Sequence, residues 1–446
     1  MRLILLFTMG VAYVSSLQAQ EKQLTFEEAV SIGLSDNVIM MNTRNDLKAY
    51  KTEKSYQISN FTPNLGIQSG FQQTTGPQVD PEKGFVNATT DYFRATIGSE
   101  WVLFSGTSRI HSLKSSSYRL EGQEFLIQRI EQEVMNQVAL QFLQVLLDQE
   151  LLTIAEQNLV TQQRTLDEIT GFVEAGSRAE VDKYRQEADV KRYELLVIQA
   201  RNTLDNDKAA LAQTLQLDPS EGFIVVKPNW NVDQIRAMSY NLDELYKTAL
   251  NSRADYKQLL STEQASLHDH KGTISGYLPY LSGFASFGST YFNDNDPLTS
   301  TDDFPTQLEN RRSTSYGVNL TIPIWDRLRT RNNRVSTKVN YENAQNNLVN
   351  LEKTIKIEVQ TAYNNFRDVK TGYEVSIAQF DAAKLAYETQ QESYTVGLAT
   401  QVELAMANEA YVGAQASMAQ TGYRLLFQKI LLDYAIGTLS TDGVNN

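Results

Sequence analysis

The chain has 446 residues, no cysteine and a formal net charge of −13. No basic patch stands out among its 40 Lys and Arg, which excludes nucleic acid as an expected partner. The lack of cysteine rules out a disulfide framework, as suits an exported protein that needs none. Past the N-terminus no apolar run approaches the roughly 18 residues that a membrane-crossing helix requires.

Met1 to Ala19 reads as a secretory signal. One Arg precedes an apolar run from Leu3 to Val14, and small and polar residues end it at Leu17-Gln18-Ala19. That run is too short to span a bilayer as a helix. The residue after the expected cut is Gln20 rather than Cys, so no lipid anchor is expected there.

The remainder of the chain is duplicated. Thr25-Phe26-Glu27-Glu28-Ala29, Leu34, Asn37, Pro63-Asn64-Leu65 and Phe71 return about 216 positions later. Their counterparts are Asn241-Leu242-Asp243-Glu244-Leu245, Leu250, Arg253, Pro279-Tyr280-Leu281 and Phe287. At a shift of about 221, Val102-Leu103-Phe104 falls on Pro323-Ile324-Trp325, Gly176 on Gly397, Val181 on Val402 and Asp182 on Glu403. The mature chain therefore reads as two copies of one unit, 20–230 and 231–446, behind the signal at 1–19.

Each copy runs helix, strand, loop, strand, long helix, tip and helix. The first strand, Pro63 to Gln73, sets Leu65, Ile67 and Phe71 against Asn64, Gln68 and Gln72. The second, Tyr92 to Phe104, sets Phe93, Ala95, Ile97, Trp101 and Leu103 against Arg94, Thr96, Gly98 and Glu100. The third, Tyr280 to Phe292, is less regular because Phe284 breaks its alternation. The fourth, Ser313 to Trp325, alternates Tyr316, Val318, Leu320, Ile322 and Ile324 with Gly317, Asn319 and Thr321. Period two over about 11–13 residues with aromatics near the ends is the pattern of a tilted outer-membrane barrel strand. Polar loops, Thr74 to Thr90 and Asn293 to Arg312, are expected at the same place in both halves.

The long helices are expected at about 108–172 and 329–395, each close to 100 Å at about 1.5 Å per residue. The second carries an apolar stripe through Ala344, Leu348, Leu351, Ile355, Val359, Ala362 and Phe366, spaced in threes and fours. Shorter helices, about 37–60 with 178–216 and about 253–278 with 401–437, sum to nearly the same lengths, so four staves per chain form a wall of even height. Four strands cannot close a membrane barrel, since the smallest bacterial ones have about eight. An open strand edge cannot face lipid. Several copies must therefore share one barrel, as a dimer of eight strands or a trimer of twelve. A soluble coiled-coil rod would account for the helices and not for the strands.

The duplicated openings at Leu24-Thr25-Phe26-Glu27-Glu28-Ala29 and Leu242-Asp243-Glu244-Leu245 carry a resemblance. So do Pro63 and Pro279, the strand ends Leu103-Phe104-Ser105-Gly106 and Ile324-Trp325-Asp326, and Tyr394-Thr395-Val396-Gly397 followed by Val402-Glu403. In this order and number they resemble the TolC-like outer-membrane efflux protein family across essentially the whole mature chain. The resemblance implies an α+β membrane protein with a transmembrane β-barrel shared by a homotrimer, four strands per chain and twelve in all. That barrel would continue into a long periplasmic α-helical barrel. A passive exit duct in bacterial outer-membrane lipid is implied, docked to a periplasmic adaptor and to an inner-membrane efflux pump or secretion ATPase. The alternative is a secreted structural coiled-coil protein that binds partners through its hairpin tips.

The resemblance also implies a gate. Asp182 and Tyr394 occupy positions at which that family bonds one hairpin to the other, and Glu403 occupies the first acidic ring of the constriction. This chain departs at the second ring position, Met406, and at another latch, where Ala399 and Val181 stand. Gly176 and Gly397 fall where both helical patterns break, as a reversal with positive φ requires, and they shape the expected docking tips. His268-Asp269-His270 is not expected to chelate, because side chains two apart on a helix diverge. Asn87-Ala88-Thr89 is a formal glycosylation sequon expected to be idle in such a loop. With no nucleophile–base pair, phosphate loop or metal cluster, neither enzymatic activity nor a cofactor is expected.

Overall fold

The computed structural model describes residues 22–80, 84–218, 222–228, 230–293 and 302–440. The expected signal, Met1 to Ala19, lies outside them. In chain order the first half contains β1 (Lys22–Leu24), α1 (Phe26–Asp36), α2 (Val38–Ser59), β2 (Gly66–Asp80), β3 (Gly84–Phe104), α3 (Ser108–Glu174) and α4 (Glu180–Leu215). A connector holds β4 (Phe223–Val225) and α5 (Val232–Ala237). The second half has α6 (Leu242–Ser252), α7 (Ala254–Gly272), a 3-10 turn (Thr273–Tyr277), β5 (Tyr280–Asn293), α8 (Phe304–Asn310), β6 (Ser313–Thr321), α9 (Arg329–Thr395) and α10 (Gln401–Ile436). Both long helices have 67 residues and both return helices have 36, as the duplication requires.

Contacts divide the chain into two compact units, each drawing on both halves of the sequence. One comprises Met1–Met41, Ile130–Ser252 and Ile355–Asn446; the other comprises Asn42–Arg129 and Arg253–Thr354.

The second unit contains an antiparallel sheet of order β2-β3-β5-β6. Its register carries the alternation across the strands. Ile67 pairs with Ile97 and Ile97 with Phe287, while Phe71 pairs with Phe93 and Phe93 with Tyr291. Ala285 meets Tyr316, Gly283 meets Val318 and Leu281 meets Leu320 on the same face. Polar residues fill the other face, including the row Gln68, Thr96 and Gly288. Phe284, which breaks the pattern, lies opposite Gly317, and a Cβ there would come within 3.0 Å of its ring. The glycine makes room for the exception.

Three expectations are corrected in this unit. Most of Thr74 to Thr90 is strand rather than loop, because β2 and β3 stay paired from Gly66↔Gly98 out to Asp80↔Gly84. Its threonines are β-branched strand formers, and Thr75 and Thr89 bond through their hydroxyls at 3.0 Å. The second loop contains α8, fixed by the buried Gln307, which donates to the Asp302 carbonyl and accepts from the Phe292 N–H. The fourth strand stops at Thr321 rather than Trp325, since Pro323 has no N–H for the ladder.

The first unit is a helical core. Phe142 of α3 is fully buried and meets Phe26 edge-on at 5.4 Å, and Phe26 meets Trp230 at 5.1 Å. Val138, Leu143 and Leu146 of α3 pack inside with Leu211 and Leu215 of α4 and Leu425 and Leu432 of α10. Part of α3 is apolar and long enough to cross a membrane by composition. Less than half of that stretch is buried, and the covered part is this core, with Phe142, Leu143, Val145 and Leu146. Alongside it, β1 pairs in parallel with β4.

Candidate functional site

The two hairpin tips are built alike. Behind α3, Gly176 takes φ +73°, its N–H donates to the Val173 carbonyl, and the Ser177 N–H donates to Phe172 O at 2.9 Å. Behind α9, Gly397 takes φ +79°, its N–H donates to the Tyr394 carbonyl, and the Leu398 N–H donates to Ser393 O at 2.8 Å. A left-handed glycine that closes the last helical carbonyls is the expected way to end a long helix in a tight reversal. Val396 and Leu398 stand 69% and 84% exposed on the second tip, and Phe172, Val181 and Tyr184 are exposed on the first.

The tips differ in how the return helix starts. Thr400 caps α10: its hydroxyl accepts from the Glu403 N–H while the Glu403 carboxylate accepts from the Thr400 N–H at 2.8 Å. Ala179 caps α4 with no side-chain bond at all.

Between the hairpins runs a ladder of buried amides that sequence reasoning missed. Gln186 of α4, 2% exposed, donates to the Gln162 carbonyl (3.1 Å) and to its side-chain oxygen (2.8 Å) on α3. Its own oxygen accepts from Gln401 of α10, which also donates to the Asp182 backbone carbonyl at 3.1 Å. Farther along, Asn408 donates to the Tyr193 hydroxyl at 3.1 Å, and Arg192 pairs with Glu409 at 3.6 Å. The available signal was polar residues at positions of α4 and α10 where the helical period calls for apolar ones.

The expected Asp182–Tyr394 hydrogen bond is not formed. Tyr394 is 6% exposed, its hydroxyl has no partner, and the Arg178 guanidinium lies over its ring at 4.4 Å. Burial pushes the phenol above its ordinary value, Arg178 opposes the shift, and the nearby Asp182 charge adds to it. Asp182 is thus close, but it binds the second hairpin through its backbone carbonyl to Gln401. Cation–π contact orients the tyrosine ring instead.

Glu403 lies on the surface. Its bonds from the Thr400 backbone and hydroxyl hold its carboxyl below the usual range. Met406, one turn on, is 67% exposed. The three residues of the His268-Asp269-His270 run diverge as expected. His268 meets His111 at 3.0 Å between Nδ1 atoms, Asp269 pairs with Arg119 at 2.6 Å, and His270 faces the Thr337 hydroxyl.

A short open sheet with one apolar face, together with glycine-reversed helical hairpins of this length, defines an outer-membrane channel protomer. The family described as outer membrane efflux protein matches residues 34–215 and again 245–438, once in each half, and the chain belongs to it. Outer membrane protein TolC of Vibrio cholerae is 22% identical over 395 residues, covering 86% of this chain and 84% of that protein. Outer membrane protein TolC of Salmonella enteritidis is 23% identical over 62% of this chain, an alignment that spans 55% of that protein's length. The crystal structure of the Campylobacter jejuni CmeC outer membrane channel superposes with a TM-score of 0.76 at 15% identity, over 93% of this chain and 85% of that one. Family membership makes the chain a bacterial outer-membrane efflux channel with a periplasmic helical part, and it sets aside the secreted rod and any enzyme.

Proposed function

We propose that three copies close one twelve-stranded barrel and one helical tunnel, forming a passive exit duct of a tripartite efflux or type I secretion system. The observation that carries this reading is the sheet β2-β3-β5-β6, in which β2 and β6 each have only one neighbour among the described residues. In lipid an unpaired edge leaves N–H and C=O groups unsatisfied, at several kcal/mol each, so each edge needs the opposite edge of another copy. The apolar face, with Ile67, Phe71, Tyr316 and Val318 exposed in a single chain, then meets hydrocarbon, and the polar face lines the bore.

Within that assembly the tips around Gly176 and Gly397 dock a periplasmic adaptor, which couples the duct to an inner-membrane pump or secretion ATPase. Their exposed Val396, Leu398 and Phe172 suit such a contact. Glu403 supplies one carboxylate per copy to a ring that favours cations, and Asp182 and Tyr394 sit at the hinge between the hairpins that must open. The test is extraction. The protein should leave the membrane only with detergent and run as a trimer that dissociates on heating, and a photo-crosslinker at Leu398 should capture one periplasmic protein. A water-soluble monomer would overturn the reading.

A further inference from the structure

The apolar face of the sheet carries a groove. Its rows differ in bulk. Phe71, Phe93 and Tyr291 form one, Ile67, Ile97 and Phe287 another, and between them runs the small row Ser69, Ala95 and Ser289. α8 walls this trough. Its Phe304 sits against Phe93 at 5.4 Å and Tyr291 at 5.0 Å, and the Ser289 hydroxyl donates to the Leu308 carbonyl at 2.7 Å. With Gln307 accepting from the Phe292 N–H, the helix is fixed to β5. The space between helix and sheet is about 600 Å³, bounded by Ile97, Phe287, Pro305 and Leu308 and floored by Ala95 and Ser289. That is within the roughly 300–1,000 Å³ usual for organic ligands.

The groove lies at a boundary. One row beyond the aromatic one, Gln73, Asp91 and Asn293 are polar, and Gln73 donates to Asp91 at 2.8 Å. The apolar band ends there, on an aromatic row, as the girdle of a membrane barrel does. Arg312 and Glu309 also line the groove, with 3.9 Å between guanidinium and carboxylate, too long for a hydrogen bond. Arg311 is exposed next to Arg312, whereas Asp302 and Asp303 lie at the opposite end of α8. A guanidinium at the edge of hydrocarbon calls for an anion, and a phosphate accepts from two of its N–H groups at once.

We infer that the groove seats one phosphorylated lipid of the surrounding leaflet, with an acyl chain over Ala95 and Ser289 and the phosphate on Arg312. The two bulky rows hold the chain from either side. Because α8 is already bonded to β5, little ordering is needed when the lipid enters. The inference rests on the reading above in which this face meets hydrocarbon.

The test uses the full-length protein in a neutral maltoside detergent and three probes: dioleoyl phosphatidic acid, dioleoylglycerol and inorganic phosphate. Native mass spectrometry counts the lipid retained by the intact assembly. One phosphatidic acid per chain should be retained, at a concentration at least tenfold below that needed for dioleoylglycerol. A tenfold excess of inorganic phosphate should not displace it. Arg312→Gln should weaken phosphatidic acid at least fivefold and leave dioleoylglycerol unchanged. Ala95→Leu fills the floor of the groove and should weaken both lipids. Equal retention of the two lipids by intact trimers, displacement by inorganic phosphate, or unchanged retention in Arg312→Gln would overturn the inference and leave the duct standing. A wild-type protein that forms no trimer would overturn both.

Discussion

At the first tip the return helix starts behind Ala179, which has no side-chain oxygen to offer. At the second it starts behind Thr400, whose hydroxyl and Glu403 close a capping box. The glycine reversals are otherwise the same, and Asp182 and Glu403 occupy equivalent places in the repeat. Glu403 is spent on its own helix, whereas Asp182 contributes a backbone carbonyl to the neighbouring hairpin. An acid at the same place in a duplicated chain thus does different work, because the residue three positions earlier decides whether the carboxylate has local donors.

The largest effect expected at the tips comes from the group that ties them together. Gln186→Leu deletes a bridge to Gln162 and Gln401 and leaves both amides buried without it, at about 2 kcal/mol. Amide exchange in the first turns of α4 and α10 should quicken by roughly thirtyfold, and basal conductance should rise. Unchanged exchange would mean that the ladder does not hold the hairpins.

Exchanging the caps sharpens the contrast between the tips. Thr400→Ala should destabilise the start of α10 by about 1 kcal/mol, and Ala179→Thr should stabilise the start of α4 by a similar amount, read as protease nicking at each tip. Equal nicking of both tips in the wild-type protein would break the comparison.

Glu403→Gln is expected to act on charge alone, since Gln also serves in a capping box. Cation preference should fall while exchange at the start of α10 stays within about twofold. The sign of the pH effect is set by the lowered carboxyl. Its contribution is complete above the unfolded value, near 4.5, and is lost as pH falls through the lower folded value. Acid should therefore loosen the start of α10 by no more than Glu403→Gln does, within about twofold.

Smallest of all is Tyr394→Phe. The hydroxyl has no partner, so its loss should change stability by less than about 0.5 kcal/mol and leave basal conductance unchanged. A clear rise would restore the Asp182 bond that the family resemblance implied.

Most of the architecture was legible in the sequence because it rests on periodicity. Strand alternation at Ile67, Phe71, Tyr316 and Val318, the helix stripe through Ile355 and Val359, and the breaks at Gly176 and Gly397 are local signals, and each reappears after the duplication. Strand length was less legible, since Thr74, Thr75, Thr89 and Thr90 suit both a polar loop and a β-ribbon, and pairing alone decides between them. The site was least legible. A glutamine on a helix carries no mark of its partner, so the contact of Gln186 with residues far apart in the chain emerges only from packing.

The central claim is that β2 of one copy pairs with β6 of the next until three copies close the ring. The chain contains no cysteine, so any disulfide must come from engineered positions. Cysteines placed in pairs along the two edges, such as Ser69→Cys with Val318→Cys, should bridge copies wherever their Cβ atoms come within about 4.5 Å. Oxidation in intact membranes, followed by denaturing electrophoresis without reductant, should give a covalent trimer and no larger species. Monomers alone, dimers alone or an unending ladder would contradict the account.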